Sequence, residues 1–150
     1  MRDRINAGLK EAMLARDKLR TNTLRLMLAA IRDRDIARRS EEGGAELDEA
    51  EIMALLARMV KQREESATAY ETGGRMELAE AERAEIGVIQ EFLPKPMTGA
   101  EVDAAVSRAI EDAGAGSIRD MGKVMGLLKA RHPGQMNFAD AGSRVKAKLA

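Results

Sequence analysis

Apolar residues in this 150-residue chain recur three and four positions apart in seven successive stretches, and period-two alternation is absent. That spacing puts the apolar side chains on one face of a helix and leaves no pattern for a half-buried strand. Ile5, Leu9, Ala12 and Met13 mark a first helix. Leu24, Met27, Leu28 and Ile31 mark a second, from near Asp17 to about Arg39. Ile52, Leu55, Leu56, Met59 and Val60 mark a third, and Leu78, Ile86, Ile89 and Leu93 a fourth. Val102, Ala105, Val106, Ala109 and Ile110 give a fifth, Met121, Val124, Met125 and Leu128 a sixth, and Phe138, Ala141, Val145 and Leu149 a seventh. An all-α fold is expected.

The boundaries are written locally. Asp48 with Glu51 and Thr98 with Glu101 have the spacing of a capping residue and its partner, and Ser117–Asp120 and Asn137–Asp140 are looser versions. A short polar side chain there accepts from the first free N–H groups, while an acid sits near the positive helix end. Gly43-Gly44, Gly73-Gly74, Gly114 with Gly116, and Pro133-Gly134 read as stops. Pro94-Lys95-Pro96 is the best domain boundary, because two prolines in three residues forbid helix continuation. The expected organisation is an antiparallel bundle of about four helices over residues 1–94 and a small three-helix domain over 97–150.

Composition then excludes function classes. There is no cysteine, so disulfides, thiolate metal sites and cysteine nucleophiles are excluded. Three aromatics, Tyr70, Phe92 and Phe138, cannot build a base-stacking platform. His132 is the only histidine, and it sits beside Pro133 in a turn with no sign of a nucleophile partner. No Gly-rich phosphate loop is present. Glu64, Glu65, Glu77, Glu80, Glu82 and Glu85 read as a solvated polar face. No catalytic residue, metal ligand or cofactor site is therefore expected. The opening residues lack a signal-peptide core and no stretch approaches a membrane span, so the expectation is a cytoplasmic protein.

The net charge is zero but unevenly spread. Residues 1–40 hold 11 Lys and Arg against 5 Asp and Glu, residues 41–95 hold 6 against 14, and from Ser117 onward the balance is 7 against 2. In the first zone Arg16, Lys18, Arg20, Arg25, Arg32, Arg34, Arg38 and Arg39 crowd the second helix. Pairing with the acidic third and fourth helices is one reading, and outward contact with RNA the other. In the last zone Arg119, Lys123, Lys129, Arg131, Arg144, Lys146 and Lys148 make a candidate phosphate-binding surface. Gly122 and Gly126 lie four apart within it. A glycine in a helix interior costs about 1 kcal/mol relative to alanine, so something must compensate. Close packing on another helix and close approach to a ligand backbone such as RNA both remain open.

Several blocks in order resemble one family. They are Leu9-Lys10-Glu11-Ala12-Met13, Val60-Lys61-Gln62-Arg63-Glu64-Glu65-Ser66, Ile89-Gln90-Glu91-Phe92-Leu93-Pro94, Met121-Gly122-Lys123-Val124-Met125-Gly126 and Val145-Lys146-Ala147-Lys148-Leu149. The order and spacing resemble the GatB/YqeY family, which comprises free-standing YqeY proteins and the tail domain of the GatB subunit of tRNA-dependent amidotransferase. Phe92 stands where the family usually has tyrosine, and Asn137 where an aspartate is expected. The resemblance implies a larger N-terminal helical domain joined to a three-helix domain. It implies tRNA as a partner, with an amidotransferase or an aminoacyl-tRNA synthetase beyond it, and neither membrane nor DNA. The family label, carbon–nitrogen ligase with glutamine as amido-N-donor, describes a whole amidotransferase, whose kinase and glutamine-hydrolysing centres have no counterpart in these residues. The alternative is a protein-interaction adaptor with no RNA role, its ten methionines supplying an adaptable surface.

Overall fold

The computed structural model describes residues 1–42 and 44–150. Its elements are α1 (Arg2–Leu14), α2 (Lys18–Glu42), α3 (Glu49–Thr72), α4 (Met76–Gln90), α5 (Gly99–Ala113), a 3-10 turn (Ile118–Asp120), α6 (Met121–Arg131) and α7 (Phe138–Leu149). The fold is all-α, with no strand among the described residues. Two compact units divide the chain, Met1–Pro94 and Lys95–Ala150.

The caps form as the local chemistry dictates. The Asp48 carboxylate accepts from the Glu51 N–H at 2.8 Å. Thr98 Oγ1 accepts from the Glu101 N–H at 3.2 Å. Asn137 Oδ1 accepts from the N–H groups of Ala139 and Asp140 at 2.9 and 3.3 Å. Gly114 ends α5 with φ +63°, a left-handed conformation that glycine adopts without cost. The expected stop at Gly43 lies outside the described residues. Asn137→Ala is expected to destabilise the second unit by about 1 kcal/mol, seen as faster amide exchange in α7 than in α5.

In the first unit α3 packs along α4, α1 along α2, and α2 against α4, while α2 and α3 touch only lightly. The core is aliphatic, with Ile5, Leu24, Met27, Ile31, Ile52, Leu56 and Ile89 at its centre. Phe92 is buried at its edge, with the Arg4 guanidinium 5.4 Å from the ring centroid. The ring packs without a hydroxyl, so a phenylalanine serves at this position.

Two expected core positions are displaced. Met13 is 51% exposed, and α1 seats instead through Ile5, Gly8 and Ala12. A Cβ on Gly8 would lie 3.4 Å from Phe92 Cζ and 3.6 Å from Leu24 Cδ1, ordinary contact distances, so the Ile5–Gly8–Ala12 face is the one that packs, and Met13, about 100° round the helix from Ala12, falls outside it. Leu78 is 41% exposed, and Ala79 is fully buried in its place. Ala79, Ile86 and Ile89 satisfy helical spacing as well as Leu78 does, and the small side chain lets α4 lie close to α3.

One polar network is buried in this unit. Asp35, 7% exposed, accepts two bonds from the Arg2 guanidinium at 2.8 and 3.0 Å and a third from the Leu47 N–H at 2.9 Å. Arg2 also donates to the Leu47 carbonyl at 3.1 Å. The start of α1, the middle of α2 and the α2–α3 connection are thereby tied to one carboxylate. That contact with Arg2, assisted by the Leu47 N–H, holds the Asp35 carboxyl below its ordinary range against the opposing effect of burial.

The second unit surrounds Val102, Val106, Ala109, Val124, Leu128, Ala141 and Val145 with α5, α6 and α7 packed pairwise.

Candidate nucleic-acid interface

The second unit shows which basic residues are free to meet a ligand. Val124 and Leu128 fix the buried side of α6. The opposite side carries Gly122, Lys123, Gly126, Lys129 and Ala130, all exposed and at helical spacing, and Arg119, exposed in the 3-10 turn, stands just before it. The structure therefore brings Arg119, Lys123 and Lys129 together with both glycines on one face. None of the three cations has a carboxylate partner among the described residues.

At the two glycines the structure shows no close helix–helix packing, the first of the two readings that the sequence leaves open. A Cβ added at Gly122 or Gly126 would meet nothing within 4 Å. Neither accommodates a neighbouring helix of this chain. In this unit Gly142 of α7 does face a neighbouring helix, its Cβ position lying at ordinary contact distance, 3.5 Å from Met121 Cε and 3.9 Å from Met125 Cε. Its neighbours Ala141 and Val145 carried the apolar signal there, and a helical glycine beside them was the clue to close packing.

At the α6 N-terminus the positive end of the helix dipole meets Asp120, the N-cap residue, and no acid lies in the first turn beyond it. The nearest carboxylate, Asp120, is turned back to accept from the Gly116 and Ser117 N–H groups at 3.0 and 3.4 Å. The surface is smooth, basic and without side chains between the cations at two positions. Such a face suits a phosphate backbone and offers nothing for base readout.

The other candidates are placed differently. Arg131 lies on the far side of α6, paired with Asp112 at 2.8 Å. Arg144 pairs with Asp140 at 3.1 Å and Asp103 at 3.7 Å. Lys148 reaches the same Asp103 at 3.1 Å and also donates to Ser107. Lys146 is exposed with no partner among the described residues, on another side of α7. The acids of α5 thus draw three of the seven cations inward, and α5 lies too far away in sequence for a local reading to anticipate it.

In the first unit, the basic zone divides in a similar way. Arg20 pairs with Glu91, Arg38 with Glu51, and Arg39 with Glu46. Arg16, Lys18, Arg25, Arg32 and Arg34 have no carboxylate partner among the described residues. Arg63–Glu85 at 2.7 Å ties α3 to α4.

No catalytic constellation is found among the described residues. The lone His132 lines a shallow groove with Arg108, Asp112 and Arg131, and its ring makes no hydrogen bond there. No group of three or more His, Asp or Glu side chains gathers as a metal site among the described residues. No helix among them is long and apolar enough to cross a membrane.

Fold and site together define a helical protein of two compact units, with a bare basic helix face on the smaller one. The chain belongs to the YqeY-like protein family, whose model matches residues 2–149. It is 34% identical over 110 residues to the Lachancea thermotolerans protein "Altered inheritance of mitochondria protein 41, mitochondrial", covering 72% of this chain and 57% of that one. The protein of that name from Vanderwaltozyma polyspora is 31% identical over 110 residues, 72% of this chain and 57% of its own length. In Meyerozyma guilliermondii the identity is 35% over 89 residues, 59% of this chain and 44% of the relative. The chain thus spans about half the length of the curated relatives it matches. Those relatives are designated mitochondrial, which the expectation of a cytoplasmic protein did not anticipate.

Proposed function

We propose that this chain is a tRNA-binding accessory module linked to tRNA-dependent amidation, without catalytic residues of its own. The observation that carries this reading is the exposed α6 face, where Arg119, Lys123 and Lys129 stand unpaired around two glycines that open onto solvent. A glycine pair that the fold does not need is accounted for by a backbone that must come close. Unpaired cations beside it supply affinity through counterion release, independent of sequence. Choice among RNAs then rests on shape, because the face has no aromatic side chain. The link to amidation rests on family membership and assigns this chain no step of that chemistry.

The test is fluorescence anisotropy of labelled bulk tRNA titrated at two salt concentrations. Binding is expected to weaken steeply with salt. Lys123→Ala should lower affinity and reduce the salt slope by about 1. Arg144→Ala should have a smaller effect, because Asp140 and Asp103 already hold that guanidinium. Equal losses from the two variants would move the contact away from α6, and absence of binding at low salt would end the RNA reading.

A further inference from the structure

The outer side of α2 carries a line of cations that the fold leaves free. Lys18, Arg25 and Arg32 follow one another at seven-residue steps, all exposed. Seven residues are just under two turns, so the line drifts only about 20° per step and advances about 10.5 Å. Asn22 and Ala29, also exposed, fill the intervals. Arg16 stands in the α1–α2 turn that leads into the line. None of the four has a carboxylate partner among the described residues. Arg25 donates to the Met13 sulfur at 3.9 Å, a weak acceptor that leaves its charge unbalanced.

The acids on either side are placed elsewhere. Asp17 caps α2, accepting from the Arg20 N–H at 3.0 Å. Asp33 lies about 100° round the helix from Arg32, in the lining of the shallow groove between α2 and α3. On α1, Met13 marks the flank that meets Arg25. Lys10 shares that flank three residues back, while Glu11 lies about 160° from Met13 around the axis. Asp3, near the start of α1, makes no ion pair among the described residues. Arg16 has φ +55°, the left-handed position that closes α1. Its N–H donates to the Met13 carbonyl at 3.2 Å, and the Asp17 N–H to the Ala12 carbonyl at 3.0 Å. Glycine takes that conformation freely, so the turn itself does not call for an arginine.

We propose that this line is a second phosphate-backbone contact for RNA, made on the first unit by Arg16, Lys18, Arg25 and Arg32. The inference rests on the RNA reading of α6 and adds to it a surface which that reading does not require. A phosphate backbone carries charge all along the strand, so cations spaced in a row each find an oxygen where the strand lies along them. The three guanidinium groups fit phosphate oxygens in pairs. An acidic protein helix would need apolar anchors, and between these cations the helix offers only Asn22 and Ala29. No aromatic interrupts the line, so the contact holds the backbone and reads no base.

The test is the salt dependence of tRNA anisotropy for the full chain and its variants. Lys18→Gln, Arg25→Gln and Arg32→Gln combined are expected to weaken binding about tenfold at low salt and to lower the salt slope by about 2–3, close to one per lost contact. Arg34→Gln removes an equally free cation about 180° round α2 from Arg25 and should leave the slope unchanged. Arg16→Gly relieves the left-handed arginine, so it should bind less tightly while its unfolding midpoint does not fall. That pattern cannot come from a misfolded chain, and it guards against a folding failure in the triple variant. A triple variant with the wild-type slope, while Lys123→Ala still loses affinity, overturns the inference and leaves the RNA reading in place. Equal slope changes from Arg34→Gln and Arg25→Gln overturn it too, since net charge alone would then be at work. If the wild type binds no tRNA at low salt, both fall. Poly-glutamate bound through these residues, with tRNA unaffected by the triple variant, would give the surface to an acidic protein and overturn it as well.

Discussion

Replacing Gly122 and Gly126 together with alanine is expected to make the protein more stable and a poorer RNA binder. Gly126 lies in the interior of α6, where alanine is worth about 1 kcal/mol over glycine. Gly122 lies in the first turn and adds less. Neither new methyl meets an atom within 4 Å, so no clash offsets the gain. The unfolding midpoint of the second unit should rise, by about 4–8 °C for each kcal/mol in a domain of this size class. The same methyls stand where a phosphate backbone has to approach Lys123, and affinity for tRNA should fall about tenfold, or roughly 1.4 kcal/mol. Gain of stability with loss of binding is the pattern of residues kept for a contact outside the fold. Wild-type affinity in the stabilised double variant, measured at low salt, would remove the glycines from the interface.

The second large effect lies in the other unit. Asp35→Ala should destabilise it by about 2–3 kcal/mol, since the change strands Arg2 and leaves the Leu47 N–H without its acceptor. The figure is below that for a fully buried pair because the Arg2 side chain is 31% exposed and water screens part of the loss. The pH dependence has a definite sign. Asp35 titrates below its ordinary value of 3.8 when folded, so the unfolded chain binds its proton first. The pair's contribution is complete above the ordinary carboxylate range and declines as pH falls toward the folded value. Arg2, its own pKa raised by the same contact, stays charged throughout. Urea titrations should show the wild type losing stability below about pH 4, with Asp35→Asn less stable at neutral pH and flatter across that interval. Parallel curves for the two proteins would mean that Asp35 does not carry the acid sensitivity.

Helix number and class could be read from the sequence because helix signals are local. Asp48, Thr98 and Asn137 cap through bonds to groups two and three residues away. Positions that depend on distant neighbours could not be read in this way. Asp35 sits in the run Arg32-Asp33-Arg34-Asp35, which reads as solvated charge, and only the meeting of α1 with the α2–α3 connection buries it. Ala79 and Leu78 offer nearly the same periodicity, and the closeness of α3 to α4 selects the smaller. The candidate interface was half legible. Its glycines and lysines announce themselves by type and spacing, but the sorting of free cations from held ones required Asp103 and Asp112 of α5 to be placed beside α7 and α6.

The seam behind the bare face has a mechanical consequence. On one side is the buried backbone at Gly142, and on the other the terminal methyls of Met121 and Met125. A methionine side chain turns about three bonds and follows a moving neighbour without opening a gap, whereas a branched side chain would lock into a single notch. The joint under α6 is therefore compliant. Val124 and Leu128 keep the helix seated, and the proposed RNA contact on its outer face would then rest on a bed that can adjust by small side-chain rotations.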